Sequence, residues 1–275
     1  MKQLETKWRL VMPLQTKGDL GKSFETEAFC CYLADRGINW RGYDLDGDNR
    51  SFSSRFPKEV TLVEISREPE DDVIGVLKRS GETKVTRWDV RAHMSDAILR
   101  ALKLIRFTEQ AAERGGRLTV VFFPQDNVEV MGDIDGIAEK LGDSVDYLIV
   151  KNRFKSKATR MYDGSQLERD LRALGAGEME LPSLLNSGKN PLAKLSLNLG
   201  RNVTVGEAVK NLNLQLDLTA RLVIEDWRNS VYRGYDQNAR LLLPSADLAS
   251  VAPARETEPA RRPRRPTERI NVSNL

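Results

Sequence analysis

Thr16-Lys17-Gly18-Asp19-Leu20-Gly21-Lys22-Ser23 decides the reading of this chain. It lies between an apolar run, Trp8-Arg9-Leu10-Val11-Met12-Pro13-Leu14, and a helix-like run that starts at Phe24. A strand, a glycine-bearing turn and a helix form the setting of a phosphate-binding loop. The N–H groups at the helix start wrap phosphates, Lys22 reaches the terminal ones, and the Ser23 hydroxyl is placed for Mg²⁺. Gly-Lys-Ser alone is a weak signal, and Thr16 stands where the general pattern has glycine. The competing reading is an ordinary strand–turn–helix with a surface lysine. Pro13 lacks an N–H, which predicts the end of the strand there. From Phe24 the spacing predicts a helix with Phe24, Ala28, Cys31 and Tyr32 on one stripe and a stop at Gly37.

A second strand is expected from Ile38, running into the acidic turn Asp44-Leu45-Asp46-Gly47-Asp48-Asn49. Alternation about Leu45 points both carboxylates the same way at the strand's end, where open α/β sheets bind ligands. Two acids there suit Mg²⁺ and an attacking water. A solvated turn with Asp48 and Asn49 as turn formers is the plain alternative.

The combination resembles the ParA/MinD family of P-loop ATPases. Lys17-Gly18-x-x-Gly21-Lys22-Ser23 is similar to that family's deviant loop motif, K-G-G-x-G-K-[ST], and Asp44-Leu45-Asp46 is similar to its D-x-D motif one helix later. The likeness is specific over residues 10–57 and fainter to about 185. It implies ATP and Mg²⁺ as ligands, with the loop residues Lys17, Gly18, Asp19, Leu20, Gly21, Lys22, Ser23 and Phe24 around the phosphates. Lys22 matches the lysine on the β- and γ-phosphates. Lys17 matches the signature lysine that reaches a partner subunit's phosphates in a nucleotide-sandwiched dimer. Ser23 matches the metal ligand, Asp44 the acid near the metal shell, and Asp46 the residue that positions water. Asp89, at the end of Lys84–Asp89, matches the acid of the next strand, although the family's strand is more apolar and here Arg87, Arg91 and His93 surround it. Asn152 matches an asparagine that reads the adenine edge, and Pro182 the proline beside the base. As a plain alternative, Asn152 is a strand-terminal turn residue. His93, the single histidine, has no Cys or His partner at metal-ligand spacing.

Leu118–Pro124 is a near-continuous apolar run bounded by Gly115-Gly116 and Pro124, as a central parallel strand requires. A helix is expected over 126–141 and a strand over 145–153. Strand and helix patterns alternate from residue 8 to about 185. This predicts an α/β fold, a mostly parallel sheet with helices on both faces, for a core spanning 1–185. The 275 residues, 40% of them apolar, suffice for one substantial core. Residues 186–242 read as a helical part packing on that core: a loop with a short helix to 202, a helix capped by Thr204 with Glu207 and running to about Leu216, and another from Leu218 to Tyr232.

Residues 243–275 are rich in Pro and Arg and poor in apolar anchors. They cannot offset an ordering cost of roughly 1–2 kcal/mol per residue, so a disordered tail is expected. Its arginines suit nucleic-acid phosphates, or solubility alone. With a net charge of only +3, DNA binding would need a local patch or the tail. No run approaches the ~20 apolar residues of a membrane span and no signal sequence opens the chain, so no membrane contact is expected. Cys30 and Cys31 make no disulfide framework, which suits a reducing cytoplasm.

The resemblance implies a slow ATPase in which Mg·ATP drives dimerisation, hydrolysis resets it and a protein partner stimulates it. Plasmid or chromosome partitioning, or conjugative DNA transfer, is the expected setting. The alternative is a degenerate nucleotide-binding assembly module with little hydrolysis. Asp19 supports that alternative. It occupies the family's second loop glycine, and a carboxylate 4 Å from a phosphate charge is repelled by about 4 kcal/mol at an effective dielectric of 20.

Overall fold

The computed structural model describes residues 5–154 and 159–251. Seven strands form one parallel sheet: β1 (Trp8–Pro13), β2 (Trp40–Asp44), β3 (Val60–Leu62), β4 (Val85–Asp89), β5 (Gly116–Phe122), β6 (Asp146–Asn152) and β7 (Gly177–Leu181). Their order is β3-β2-β4-β1-β5-β6-β7, and every pairing is parallel. β1 ends at Pro13, as the missing N–H requires.

Helices make the crossovers: α1 (Lys22–Asp35), α2 (Ser51–Arg55), α3 (Pro69–Leu77), α4 (Ser95–Leu104), α5 (Phe107–Glu113), α6 (Val128–Leu141) and α7 (Gln166–Ala173). The chain moves toward the β3 edge through α1 and α2, then turns back toward β7. Right-handed crossovers put helices made in opposite directions on opposite faces. Accordingly every residue of β1 and β4 is buried, so neither face meets water. The direction reverses at β1, between β4 and β5. That is the topological switch point where α/β sheets bind ligands beyond the strand C-termini.

After β7 come α8 (Asn186–Leu199), α9 (Val205–Lys210), α10 (Leu218–Gln237) and α11 (Ala239–Leu242). α9 and α10 pack on α1. This corrects the expected single apolar stripe on α1. The sheet covers one side and the C-terminal helices the other, so Glu25, Thr26, Glu27 and Phe29 are buried with Ala28, Cys31 and Tyr32. Thr204 caps α9, its Oγ1 accepting from the Glu207 N–H at 3.1 Å. That helix ends at Lys210 rather than near Leu216, and Leu212 is exposed. α8 is longer than the short helix expected there, with Pro191 in its second turn.

Residues 243–251 were expected to open the disordered tail, yet they pack on the sheet. The reason is Arg9, buried in β1. Its Nε donates to the Leu243 carbonyl at 2.9 Å, its Nη2 to the Arg240 carbonyl, and its Nη1 to Asp146 Oδ2 at 2.6 Å. Ser245 exchanges hydrogen bonds with Thr6, and Leu243 and Val251 are buried. The remaining tail, 252–275, lies outside the described residues. No helix among the described residues is long and apolar enough to cross a membrane.

Candidate functional site

The loop Gln15–Gly21 leaves β1 at the switch point. Gln15 is wholly buried and ties it to β5: the Phe123 N–H donates to Gln15 Oε1 at 2.7 Å, and Gln15 Nε2 donates to the Phe123 carbonyl at 3.3 Å. Two loop residues take left-handed backbone, Asp19 at φ 58° and Gly21 at φ 91°. Aspartate tolerates that region better than most non-glycine residues. Gly21 precedes the first turn of α1, which aims its free N–H groups into the loop.

Lys22 folds back into this ring. Its buried Nζ donates to the carbonyls of Gln15 at 2.9 Å and Lys17 at 3.1 Å. Burial lowers its pKa, opposed by the nearby charges of Asp89, Asp133 and Asp46. Lys17 is more exposed and meets Glu129 of α6 at 3.0 Å. Such surface pairs are worth about 0–1 kcal/mol, so Lys17 is easily released.

Asp133, also on α6, was not visible in the sequence. Its two oxygens accept from the Thr16 N–H at 2.6 Å and the Thr16 hydroxyl at 2.8 Å. Thr16, the departure from the general pattern, thereby anchors the start of the loop. The Thr16 carbonyl accepts from the His93 N–H at 3.1 Å, so the segment after β4 also holds the loop. His93 contributes its backbone at φ 67°.

Asp44 and Asp89 end the paired strands β2 and β4 opposite each other. The strand alternation expected to carry through to Asp46 ends two residues earlier. The strand stops at Asp44, whose Oδ2 accepts from the Ser53 N–H at 2.8 Å and hydroxyl at 2.9 Å, and whose Oδ1 accepts from the Asp46 N–H at 3.1 Å. Asp46 sits in the turn that follows, with Asn49 on both of its oxygens. Local capping engages the first acid, as short polar side chains do in turns.

Asp89 is the buried acid with an opening. Its Oδ2 has no hydrogen-bond partner. Burial pushes its pKa up to about 6, against the hydrogen bond from Ser23 and the charge of Arg87, with Asp44 adding to the rise and Lys22 opposing it. The Ser23 hydroxyl and the unpartnered Asp89 oxygen form a donor set that fits Mg²⁺. Among the described residues no three His, Cys, Asp or Glu side chains cluster to hold a metal alone. An ion here would complete its shell from phosphate and water, as Mg²⁺ usually does.

A cavity of about 880 Å³ opens from Asp19 and Gly21 toward α8, with Phe24, Phe154 and Leu184 among its walls. Asn152 lines it too, but its amide is engaged: Nδ2 donates to the Leu20 carbonyl at 2.9 Å and Oδ1 accepts from the Phe154 N–H at 3.1 Å. Pro182 is not part of that lining; its carbonyl accepts from Trp227 Nε1 at 2.7 Å. The structure thus gathers Lys17 through Phe24 with Asp89 and Asn152, sets Asp44 beside Asp89 at the strand ends and Asp46 in the turn beyond, and does not place Pro182 in the cavity's lining.

The parallel α/β sheet with this loop after its central strand is a P-loop nucleotide-binding architecture. No family model matches the sequence, and no curated protein matches it. Among solved structures, the chain is similar to the MinD cell division protein of Aquifex aeolicus, at 16% identity over 82% of this chain and 96% of that one, TM-score 0.44. A plasmid partition protein from Borrelia burgdorferi matches at 10% identity, over 64% and 90%, TM-score 0.38. Chloroplast FtsY from Physcomitrella patens matches at 12% identity, over 55% and 53%, TM-score 0.39, so the chain spans about half of that protein's length. Likenesses of this strength leave the fold assignment to the chain's own strand order and loop.

Proposed function

We propose that this protein is a ParA/MinD-like nucleotide switch that binds Mg·ATP in the Gln15–Ser23 loop, dimerises on it and resets by hydrolysis. The observation that carries the reading is the convergence of buried Lys22, Ser23 and an unpartnered Asp89 oxygen at the switch point of the sheet. Lys22 leaves its two carbonyl acceptors and turns its ammonium to the β- and γ-phosphates. Gly21 lets the backbone close around them. Ser23 and Asp89 hold Mg²⁺, which supplies charge neutralisation on the phosphate oxygens. Lys17 exchanges Glu129 for the phosphates of a second copy, and Asp46 orients the water once Asn49 releases it. The cavity beyond Gly21 receives the nucleoside, Asn152 lying at its floor. A stimulating protein partner and DNA as cargo or track belong to the same proposal. The tail that would add basic charge lies outside the described residues.

A second reading is a nucleotide-gated assembly module with little turnover. It is supported by the engagement of both Asp46 oxygens with Asn49 and by Asp19 in the loop.

The test is binding of a fluorescent ATP analogue with Mg²⁺ to wild type and Lys22→Ala, with size-exclusion chromatography of the same samples. Binding lost in the variant, and ATP-driven dimers in wild type, are expected. A wild type that does not bind sinks both readings. Asp46→Ala separates them: it abolishes measurable turnover under the first and has none to abolish under the second.

A further inference from the structure

α10 grips the helix of the phosphate loop at its first turn. Trp227 packs on Phe24 with ring centroids 5.0 Å apart and planes tilted by 37°, and its Nε1 donates to the Pro182 carbonyl. Two turns later the Tyr235 hydroxyl donates to Glu25 Oε1 at 3.1 Å and lies 3.3 Å from the Glu25 carbonyl oxygen. The other Glu25 oxygen accepts from Arg87 of β4, in a pair with no solvent exposure on either side. Arg87 also donates to Thr26 Oγ1 at 2.8 Å, while its Nε and Nη1 have no partner.

As a device for stability this arrangement is poor. A buried ion pair is often matched or bettered by apolar side chains of similar volume, and unpartnered buried N–H groups add a cost. What it does fix is orientation. The Glu25 N–H closes the first turn onto the Gly21 carbonyl at 3.1 Å. Any resetting of Gly21 through Ser23 therefore shifts Glu25 against Tyr235 on one side and Arg87 on the other. A hydroxyl reaching both the carboxylate and the carbonyl of one residue permits little independent movement.

We propose that Tyr235 is a positioning residue for the phosphate loop, and that α10 and the nucleotide site are thereby coupled in free energy. This rests on the reading of the loop as a nucleotide site. Coupling of this kind is reciprocal: what orders α10 tightens nucleotide binding, and nucleotide orders α10. α10 then carries the state of the loop to the surface, where Leu218 and Leu222 of the same helix are exposed.

Tyr235→Phe removes the hydroxyl and keeps the ring against Phe29 and Tyr32. Hydrogen exchange across residues 224–237 is followed with and without Mg·ATP in wild type and variant, beside ATP titration and thermal melting of both. ATP is expected to slow exchange in wild-type α10. The variant is expected to lose most of that slowing and to bind ATP about five-fold or more weakly, the low end of typical coupling. A lowered Tm with unchanged ATP affinity and unchanged ATP-induced protection makes the hydroxyl merely structural and overturns the inference. Wild type that binds ATP without any change in α10 overturns it as well. Wild type that binds no ATP overturns the reading of the loop first, and is seen before any variant is made.

Discussion

Replacing Gly21 with alanine puts a methyl group where the structure has no room for one. Gly21 sits at φ 91°, and a Cβ built there falls 2.1 Å from Asn152 Nδ2 and 3.3 Å from its Cγ. Two costs follow. The left-handed backbone disfavours an L side chain by roughly 1–2 kcal/mol. Asn152 must also withdraw, giving up its bond to the buried Leu20 carbonyl. An acceptor left unsatisfied costs about 1–3 kcal/mol. Gly21→Ala should therefore destabilise by about 2–5 kcal/mol, measured by urea unfolding followed by circular dichroism. Gly18→Ala is the control in the same loop: its nearest contact would be the Ala92 Cβ at 3.8 Å, and its φ is not left-handed. It should stay within about 0.5 kcal/mol of wild type. In Gly21→Ala/Asn152→Ala the clash is gone, so the double variant should lose less than the sum of the singles, by about 1 kcal/mol or more. A Gly21→Ala protein as stable as Gly18→Ala, or strict additivity in the double variant, would refute the packing of Asn152 on the loop.

Asp89 makes the nucleotide-free protein sensitive to pH. An acid held near 6 in the fold, against 3.8 ordinarily, stabilises the fold less once ionised. Wild-type stability relative to Asp89→Asn should thus fall as pH rises from about 4 to 6, by up to about 3 kcal/mol at roughly 1.4 kcal/mol per unit. Urea melts of the two proteins at pH 4.5 and 8 check this, and parallel behaviour would exclude it; the variant should also lose the Mg²⁺-dependent part of nucleotide binding. Asp19→Gly relieves both a left-handed aspartate and a like charge beside the phosphates, so ATP should bind several-fold tighter and the fold should gain up to about 1 kcal/mol. An unchanged affinity in titration removes the repulsion argument. Arg9→Met leaves the Leu243 and Arg240 carbonyls without their donor. A loss of about 3 kcal/mol is expected, with early proteolytic release of the segment after residue 239; cleavage elsewhere first would count against the anchor.

Local chemistry made single element boundaries along the chain readable. Pro13 ends β1 because it lacks a donor. Gly37 stops α1 at φ 67°, where the Ile38 N–H closes onto the Leu33 carbonyl at 3.0 Å, and the Thr204 hydroxyl caps α9, while the Glu207 carboxylate expected to complete the box pairs with Arg201. These signals lie within six residues of what they specify. Long-range contacts were not readable. The burial of α1 on its outer face depends on α9 and α10, some two hundred residues later. Asp133 reaches Thr16 only because α6 folds over the loop. Asp44 had a capping partner, Ser53, just beyond the turn, but nothing in a D-x-D pattern says that the first acid will choose it. Arg87 departs from the more apolar strand of the family that the sequence resembles, and only the fold reveals Glu25 and Tyr235 around it.

Arg9 sets a schedule for the newborn chain. β1 is the central strand, yet the Leu243 carbonyl that its guanidinium binds is 234 residues away. At about 5–20 residues per second, synthesis takes roughly 12–47 s to deliver that acceptor. Until then the guanidinium has Asp146 and Thr119 but lacks the Arg240 and Leu243 carbonyls. Chains cut short before residue 240 therefore leave the buried guanidinium with only part of its acceptors, a cost that a truncated sheet must carry.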